Sequence, residues 1–186
     1  LDIIGFPIAP DQEYCLHAGN NLISYPFEAS YSIGDVIPDN VEGYFDQFIG
    51  QGLAALQVVP FNWQGSLGQL NKNKGYWVKV SESFCFVFEE PSEVATRNNS
   101  NASIIDESVG YTQSTKQAFY FFKNIENVEI GDMVESYCED TLVGSRIWSG
   151  PYMDVPAMGQ DNQDETESYC TDGMIPAFKL IKESGE

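Results

Sequence analysis

The run Val143-Gly144-Ser145-Arg146-Ile147-Trp148-Ser149-Gly150, continued by Asp154-Val155-Pro156-Ala157-Met158-Gly159-Gln160-Asp161, decides how this chain is read. Each piece is strand-like: short, and carrying the β-branched and aromatic residues that suit a pleated surface. A Gly-Pro turn joins the two pieces, and an acidic loop follows them. No catalytic signature lies in this stretch, and none is found elsewhere in the chain.

Outward from this pair, the second half reads as strands throughout. Gln117-Ala118-Phe119-Tyr120-Phe121-Phe122 is apolar on both faces and is expected to be a central strand. Residues 133–138 and 141–148 are expected as strands around a Glu139-Asp140 turn, and 152–158 as a third. The acidic loop spans 159–172 and carries Cys170; residues 175–181 are expected to close the sheet.

In the first half, Glu13-Tyr14-Cys15-Leu16-His17 and residues 22–27 are expected to pair as a hairpin across the turn His17-Ala18-Gly19-Asn20-Asn21. Residues 32–38 hold a short helical turn with Ser32 as its cap. Residues 44–49 are amphipathic without a decisive period, and 53–59 and 63–67 read as strands split at Pro60. Tyr76-Trp77-Val78-Lys79-Val80 alternates, while Phe84, Phe86 and Phe88 share one strand face. Between the halves, residues 93–111 are polar and of low complexity, with N-x-S sequons at Asn98 and Asn101. Short strands at this spacing, without a helix-length amphipathic run, predict an all-β chain. The expected organisation is two small sandwich- or barrel-like domains, 1–92 and 112–186, joined by a polar linker at 93–111.

The charge is lopsided: 28 acidic residues oppose 9 basic ones, for a net charge of −19. The excess is spread along the chain, with 11 acids against 3 bases in 1–92 and 14 against 5 in 112–186. Phosphate backbones and anionic bilayers are repelled by such a surface, so nucleic acid is not an expected partner. No apolar run approaches the ~20 residues of a membrane span, so no membrane insertion is expected. The composition suits solubility in a salty medium, where screening is short-ranged.

Four cysteines, Cys15, Cys85, Cys138 and Cys170, lie two in each half, and none forms a C-x-x-C pair. Of the three possible pairings, Cys15–Cys85 with Cys138–Cys170 is expected because it respects the domain split. That pairing implies an oxidising compartment; the alternative is four buried thiols. The chain opens at Leu1, and removal of a signal or a larger N-terminal part is expected. The opening apolar residues Leu1, Ile3, Ile4, Phe6 and Ile8 are long enough for one strand, packed on their own domain or completing the sheet of a neighbouring subunit.

Candidate chemistry is sparse. His17 is the single histidine, and the chain has no Gly-x-Ser-x-Gly elbow. Gly50-Gln51-Gly52-Leu53-Ala54-Ala55 matches a dinucleotide pattern, but Pro60 interrupts the helix it needs and no acid follows before Glu82. A glycosidase needs a carboxyl pair, one member of it in a pocket, and sequence alone gives no pocket. Asp154, Asp161, Asn162, Asp164 and Glu165 form the best metal candidate, with Asp154, Asp161 and Asp164 as the expected calcium ligands. The competing reading is a solvated acidic loop, and no other cofactor is expected. Trp63, Trp77 and Trp148 could supply a sugar-stacking ring. Trp77 sits in an alternating strand and Trp148 just before a Ser-Gly-Pro turn, so Trp148 is the ring expected to be exposed for ligand binding.

Several motifs, taken together, resemble a known group. His17-Ala18-Gly19-Asn20-Asn21-Leu22-Ile23-Ser24-Tyr25-Pro26, Ile49-Gly50-Gln51-Gly52-Leu53-Ala54-Ala55, Trp63-Gln64-Gly65-Ser66-Leu67 and Gly75-Tyr76-Trp77-Val78-Lys79 are similar to a module of large secreted or surface proteins of marine bacteria, with relatives in marine phage structural proteins. Gln117 to Phe121, the Val143 to Trp148 run, the Asp154 to Gly159 run and Pro176-Ala177-Phe178-Lys179 resemble its companion module. The chain departs from the pattern at Asn162, where Gly is more usual. The resemblance implies a non-enzymatic extracellular or virion-surface module. The expectation is therefore a structural or assembly role among other protein subunits, as a homo-oligomer or part of a larger surface assembly. The alternatives are an adhesin that binds glycans through Trp148 and the acidic loop, and, third, a glycoside hydrolase.

Overall fold

The computed structural model describes residues 8–91 and 110–183. The chain is all-β: its described residues form fourteen strands, two four-residue helical turns and one 3-10 turn. They fall into two compact units. The first takes the described residues up to Gly50 and from Ala55 to residue 91; the second takes Gln51–Ala54 and those from 110 onward. Most of the expected linker, and Leu1, Ile3, Ile4 and Phe6, lie outside the described residues.

In the first unit a five-stranded sheet runs in the order β2 (Gly19–Ser24), β8 (Gly75–Val80), β4 (Phe45–Ile49), β5 (Ala54–Val59), β6 (Asn62–Gly65). The alternation of β8 is strict: Tyr76, Val78 and Val80 are buried, while Gly75, Trp77 and Lys79 are exposed. The stretch at 44–49 that showed no clear period is strand β4, and a bulge between Phe45 and Gln47 is what breaks its alternation. Phe45, Phe48, Phe86 and Phe88 fill the core with ring centroids 5.0 to 5.4 Å apart at several pairs. The buried Glu42 closes the second helical turn (α2, Asp39–Glu42), where its carboxylate accepts a hydrogen bond from Trp63 Nε1 at 2.8 Å. The first helical turn, α1, covers Ile33–Val36 with Ser32 at its N-cap, as the sequence predicts, although the Ser32 side chain makes no capping bond.

The hairpin expected from residues 13–27 does not form. β1 (Glu13–Leu16) pairs with β9 (Phe84–Val87), with Cys15 directly opposite Cys85, and β2 pairs with β8. Gly19 and the asparagines mark a corner between two sheets: Asn21 accepts from the His17 N–H at 3.1 Å and donates back to the His17 carbonyl at 2.8 Å. Gly and Asn relieve backbone strain equally well in a corner and in a hairpin, so the local signal reads the same for both.

In the second unit β11 (Met133–Cys138) lies between β12 (Thr141–Ile147) and β14 (Ala177–Ile181), and β13 (Met153–Met158) pairs with β10 (Gln117–Phe122). The most buried strand is β13, covered at all six residues, while β11 is the strand with a hydrogen-bonded neighbour on each side. The expectation that 117–122 is central is overturned: β10 is one strand of a two-stranded ladder with β13, and none of its six residues is fully buried. Its apolarity on alternate residues serves local aromatic contact instead, with Tyr120 and Phe122 set against Phe178 at 5.1 and 4.9 Å.

The opening motif explains how β13 comes to be buried. A Cβ at Gly144 would lie 1.9 Å from the Pro156 carbonyl oxygen and 2.7 Å from Ser136 Oγ. Only a residue without a side chain lets β12 and β13 approach this closely. Pro156 has no N–H to offer, and its carbonyl accepts the buried Ser136 hydroxyl at 2.7 Å. Both disulfides form as paired from the sequence, Cys15–Cys85 within the first unit and Cys138–Cys170 within the second.

Candidate functional site

Among the described residues of the first unit, the outer face of the β2–β8–β4 sheet carries an exposed aromatic ring, Trp77, on regular paired strands. Strand pairing puts Leu22, Trp77 and Ile49 side by side in one row, and Asn20, Lys79 and Gln47 in the next. Leu22 is 62% exposed and Trp77 52%. On the other side of Trp77 along its strand stands Gly75, opposite Ser24. The rows are about 7 Å apart, two residues of strand rise. Asn21, on the opposite face, spends its amide on His17 and Gly19. The side chains of Asn20, Gln47 and Lys79 make no hydrogen bond or ion pair with the described residues. This face therefore offers an indole, two aliphatic flanks, two amides and one ammonium to a ligand.

The ring expected to do this was Trp148, and the structure corrects that. Trp148 is 4% exposed and packs on Val134, Met153 and Val155. Its backbone extends the strand past Ile147: its N–H donates to the Asp132 carbonyl at 2.6 Å, and its carbonyl accepts from Gly131 at 3.1 Å. The residue before Ser-Gly-Pro is thus held against Gly131 and Asp132 at the end of β12, with its ring turned into the core. Trp63 is buried beside Glu42. Alternation alone marked Trp77 as one-sided; which side faced the core was not legible without its cross-strand neighbours.

The residues expected to hold calcium, Asp154, Asp161 and Asp164, are not brought together within ligating distance of one another. Asp154 is fully buried, and Arg146 Nη2 donates to its Oδ2 at 3.2 Å while Nε donates to its carbonyl oxygen at 3.2 Å. The same guanidinium donates to the Gly52 carbonyl at 2.8 Å. Asp161 holds the acidic loop to the segment before β10. Its Oδ2 accepts from the Thr115 N–H at 2.8 Å and hydroxyl at 3.0 Å and from Gln163 Nε2 at 3.0 Å. Its Oδ1 accepts from the Thr166 hydroxyl at 2.7 Å and the Gln163 N–H at 3.0 Å. Those donors, the Thr115 N–H foremost, hold its carboxyl far below the usual carboxylate range. A cation site needs oxygens facing inward, whereas here N–H and O–H donors already fill both oxygens. Asp164 stands exposed at the start of the 3-10 turn Asp164–Thr166. Among the described residues the one group within ligating distance is Glu13, Cys15 and Cys85, and its two sulfurs are bonded to each other. Thr115 and Thr166 were the missed partners; hydroxyls three or more residues from an acid carry no sequence signal of their own.

Two clefts open in the second unit. One, of about 210 Å³, is lined among others by Lys116, Tyr120, Met158, Asp172 and Met174, and Lys116 pairs with Asp172 at 3.4 Å. The other, of about 460 Å³, is lined by Tyr111, Thr112, Leu142, Glu165 and Tyr169 among others. Each has a single acid, so neither holds the carboxyl pair of a glycosidase. His17 is exposed at the corner between sheets, and Ile8, the described member of the apolar opening segment, is 40% exposed. No described helix is long and apolar enough to cross a membrane. No family model, curated protein or solved structure matches the chain.

Proposed function

We propose that this chain is a non-enzymatic structural module of an extracellular or virion surface, joined to other protein subunits through uncharged apolar surface. The observation that carries the reading is the tip of the β5–β6 hairpin. Val59 and Phe61 are 54% and 52% exposed, with Pro60 between them also exposed. Phe61 has φ 66, a left-handed conformation that bulky residues rarely adopt and that costs roughly 1–2 kcal/mol. Glycine or asparagine would fill this turn position without that cost. No charged residue lies between Asp46 and Lys72, in a chain of net charge −19. Copies of so acidic a protein repel each other at long range, and close contact is least opposed where carboxylates are missing. An apolar ring held outward on the charge-free stretch fits that requirement.

The two disulfides fit an oxidising, extracellular setting. The motif resemblance to modules of marine bacterial surface proteins and marine phage structural proteins points the same way. The apolar opening residues Leu1, Ile3, Ile4, Phe6 and Ile8 are a second candidate contact, by strand addition. Light scattering and electron microscopy of the purified protein test the reading. An oligomer or ordered polymer that Phe61→Asp reduces to a folded monomer supports it. If deletion of residues 1–10 does so and Phe61→Asp does not, the opening strand is the contact. A monomeric native chain at all concentrations overturns the assembly role.

A further inference from the structure

We infer that the outer face of the β2–β8–β4 sheet is a glycan-binding platform on which Trp77 stacks a neutral pyranose ring. This site is separate from the hairpin tip at Phe61 and does not depend on assembly.

A ligand that lies flat on the sheet meets a row of Leu22, Trp77 and Ile49, and then a row of Asn20, Lys79 and Gln47. An exposed indole presents a flat apolar surface, and the C–H face of a hexose matches it in size and polarity. Gly75 carries no side chain, and Leu22 Cδ1 stands 3.9 Å from where its Cβ would be, so an aliphatic flank covers that end of the strand beside the ring. One row away, the two amides and the ammonium lie within reach of the ring hydroxyls, and none of the three is engaged by the described residues. Amide groups donate and accept at once, which suits hydroxyls better than it suits an apolar protein surface. The platform is also rigid: Tyr76, Val78 and Val80 anchor β8 from beneath, each no more than 3% exposed.

Charge selects among ligands. A cationic ligand finds no carboxylate in these two rows and meets Lys79 instead. The acidic side chain nearest in sequence, Asp46, is the bulge residue at the end of β4. A polyanion meets one lysine against a net charge of −19, so long-range repulsion works against acidic polysaccharides. A neutral, polyhydroxylated ligand is opposed by neither. Along the strands the apolar row is flanked by Ser24 and Gly75 on one side and by Asn20, Lys79 and Gln47 on the other, so polar groups lie next to the ring.

The test is binding of the full-length protein to cellotetraose, mannotetraose and chitotetraose, with tetragalacturonate as the acidic comparison, read by calorimetry and by tryptophan emission. The expected result is saturable binding of at least one neutral tetrasaccharide with a shift in emission. Trp77→Ala should weaken it about 30-fold or more, the loss typical of a central anchor residue, while urea unfolding stays within error of the native protein. Trp77→Phe should recover part of the affinity, and Lys79→Met should weaken it by a smaller factor. No binding to any neutral glycan overturns the proposal, as does equal binding by native protein and Trp77→Ala. Binding of tetragalacturonate alone, lost with Lys79→Met, overturns the neutral-ligand assignment. Because Phe61→Asp leaves this face intact, its effect on native mass and the effect of Trp77→Ala on glycan binding separate the two readings.

Discussion

Replacing Gly144 with alanine puts one methyl group where β12 and β13 touch. The new Cβ would stand 1.9 Å from the Pro156 carbonyl oxygen, 2.7 Å from its carbonyl carbon and 2.7 Å from Ser136 Oγ. Two of the three atoms are backbone of a fully buried strand, so a rotamer change cannot relieve the clash. Gly144 is not in the left-handed region, so alanine's own backbone preference is not the obstacle. The cost is steric. Forcing the strands apart costs about 1–3 kcal/mol in a packed core. Separating Ser136 from the Pro156 carbonyl removes a buried hydrogen bond worth about 1 kcal/mol. Together these give about 2–4 kcal/mol, a large share of the stability of a small unit, about 5–15 kcal/mol. Urea unfolding read by near-ultraviolet circular dichroism and by emission, with Trp148 the reporter of the second unit, measures it. Gly43→Ala is the control: nothing lies within 4 Å of its added Cβ, and its φ of −64 suits alanine. That variant should match the native protein or gain up to about 1 kcal/mol. A Gly144→Ala protein within 0.5 kcal/mol of native, a threshold at the ordinary scatter of surface substitutions, would refute the close approach of β12 and β13.

Two further outcomes follow from the same unit. Arg146→Met leaves the Asp154 carboxylate buried without its guanidinium and should cost about 3–5 kcal/mol, with part of it restored when Asp154→Leu is added; a loss under 1 kcal/mol in the same unfolding assay would show the ion pair to be dispensable. The second concerns acid. Asp161 is depressed by its Thr115, Thr166 and Gln163 donors, and Asp132 by Lys182 first and then by the Glu129 and Glu183 N–H groups. Both folded-state values lie below the unfolded value of about 3.9. Their contribution is complete above that value and is lost as the pH falls through the lowered folded values. Melting temperature should therefore drop as the pH falls below about 4, and Asp161→Asn should flatten that drop; an unchanged slope in the variant counts against the assignment.

The sequence by itself determined the all-β class, because the alternation at 76–80 and 84–88, the short strand-like runs elsewhere and the turn residues between them are local properties. It also determined the disulfide pairing, since two cysteines in each half leave one arrangement that does not cross between them. The helical turn after Ser32 and the Glu139-Asp140 hairpin were equally local. Only the tertiary structure decided which strands are neighbours. Residues 13–16 and 19–24 look like a hairpin because glycine and asparagine loosen the backbone between them, yet each pairs with a strand more than fifty residues away. Apolar character at 117–122 looked central, but the buried strand is 153–158, made so by the missing side chain at Gly144. The candidate site was affected most. Whether Trp77 or Trp148 reaches solvent depends on which face of its strand is covered, and whether Asp161 faces a cation or five hydrogen-bond donors depends on Thr115 and Thr166. Local preference fixes a strand's period, whereas exposure is fixed by whatever the rest of the chain lays against it.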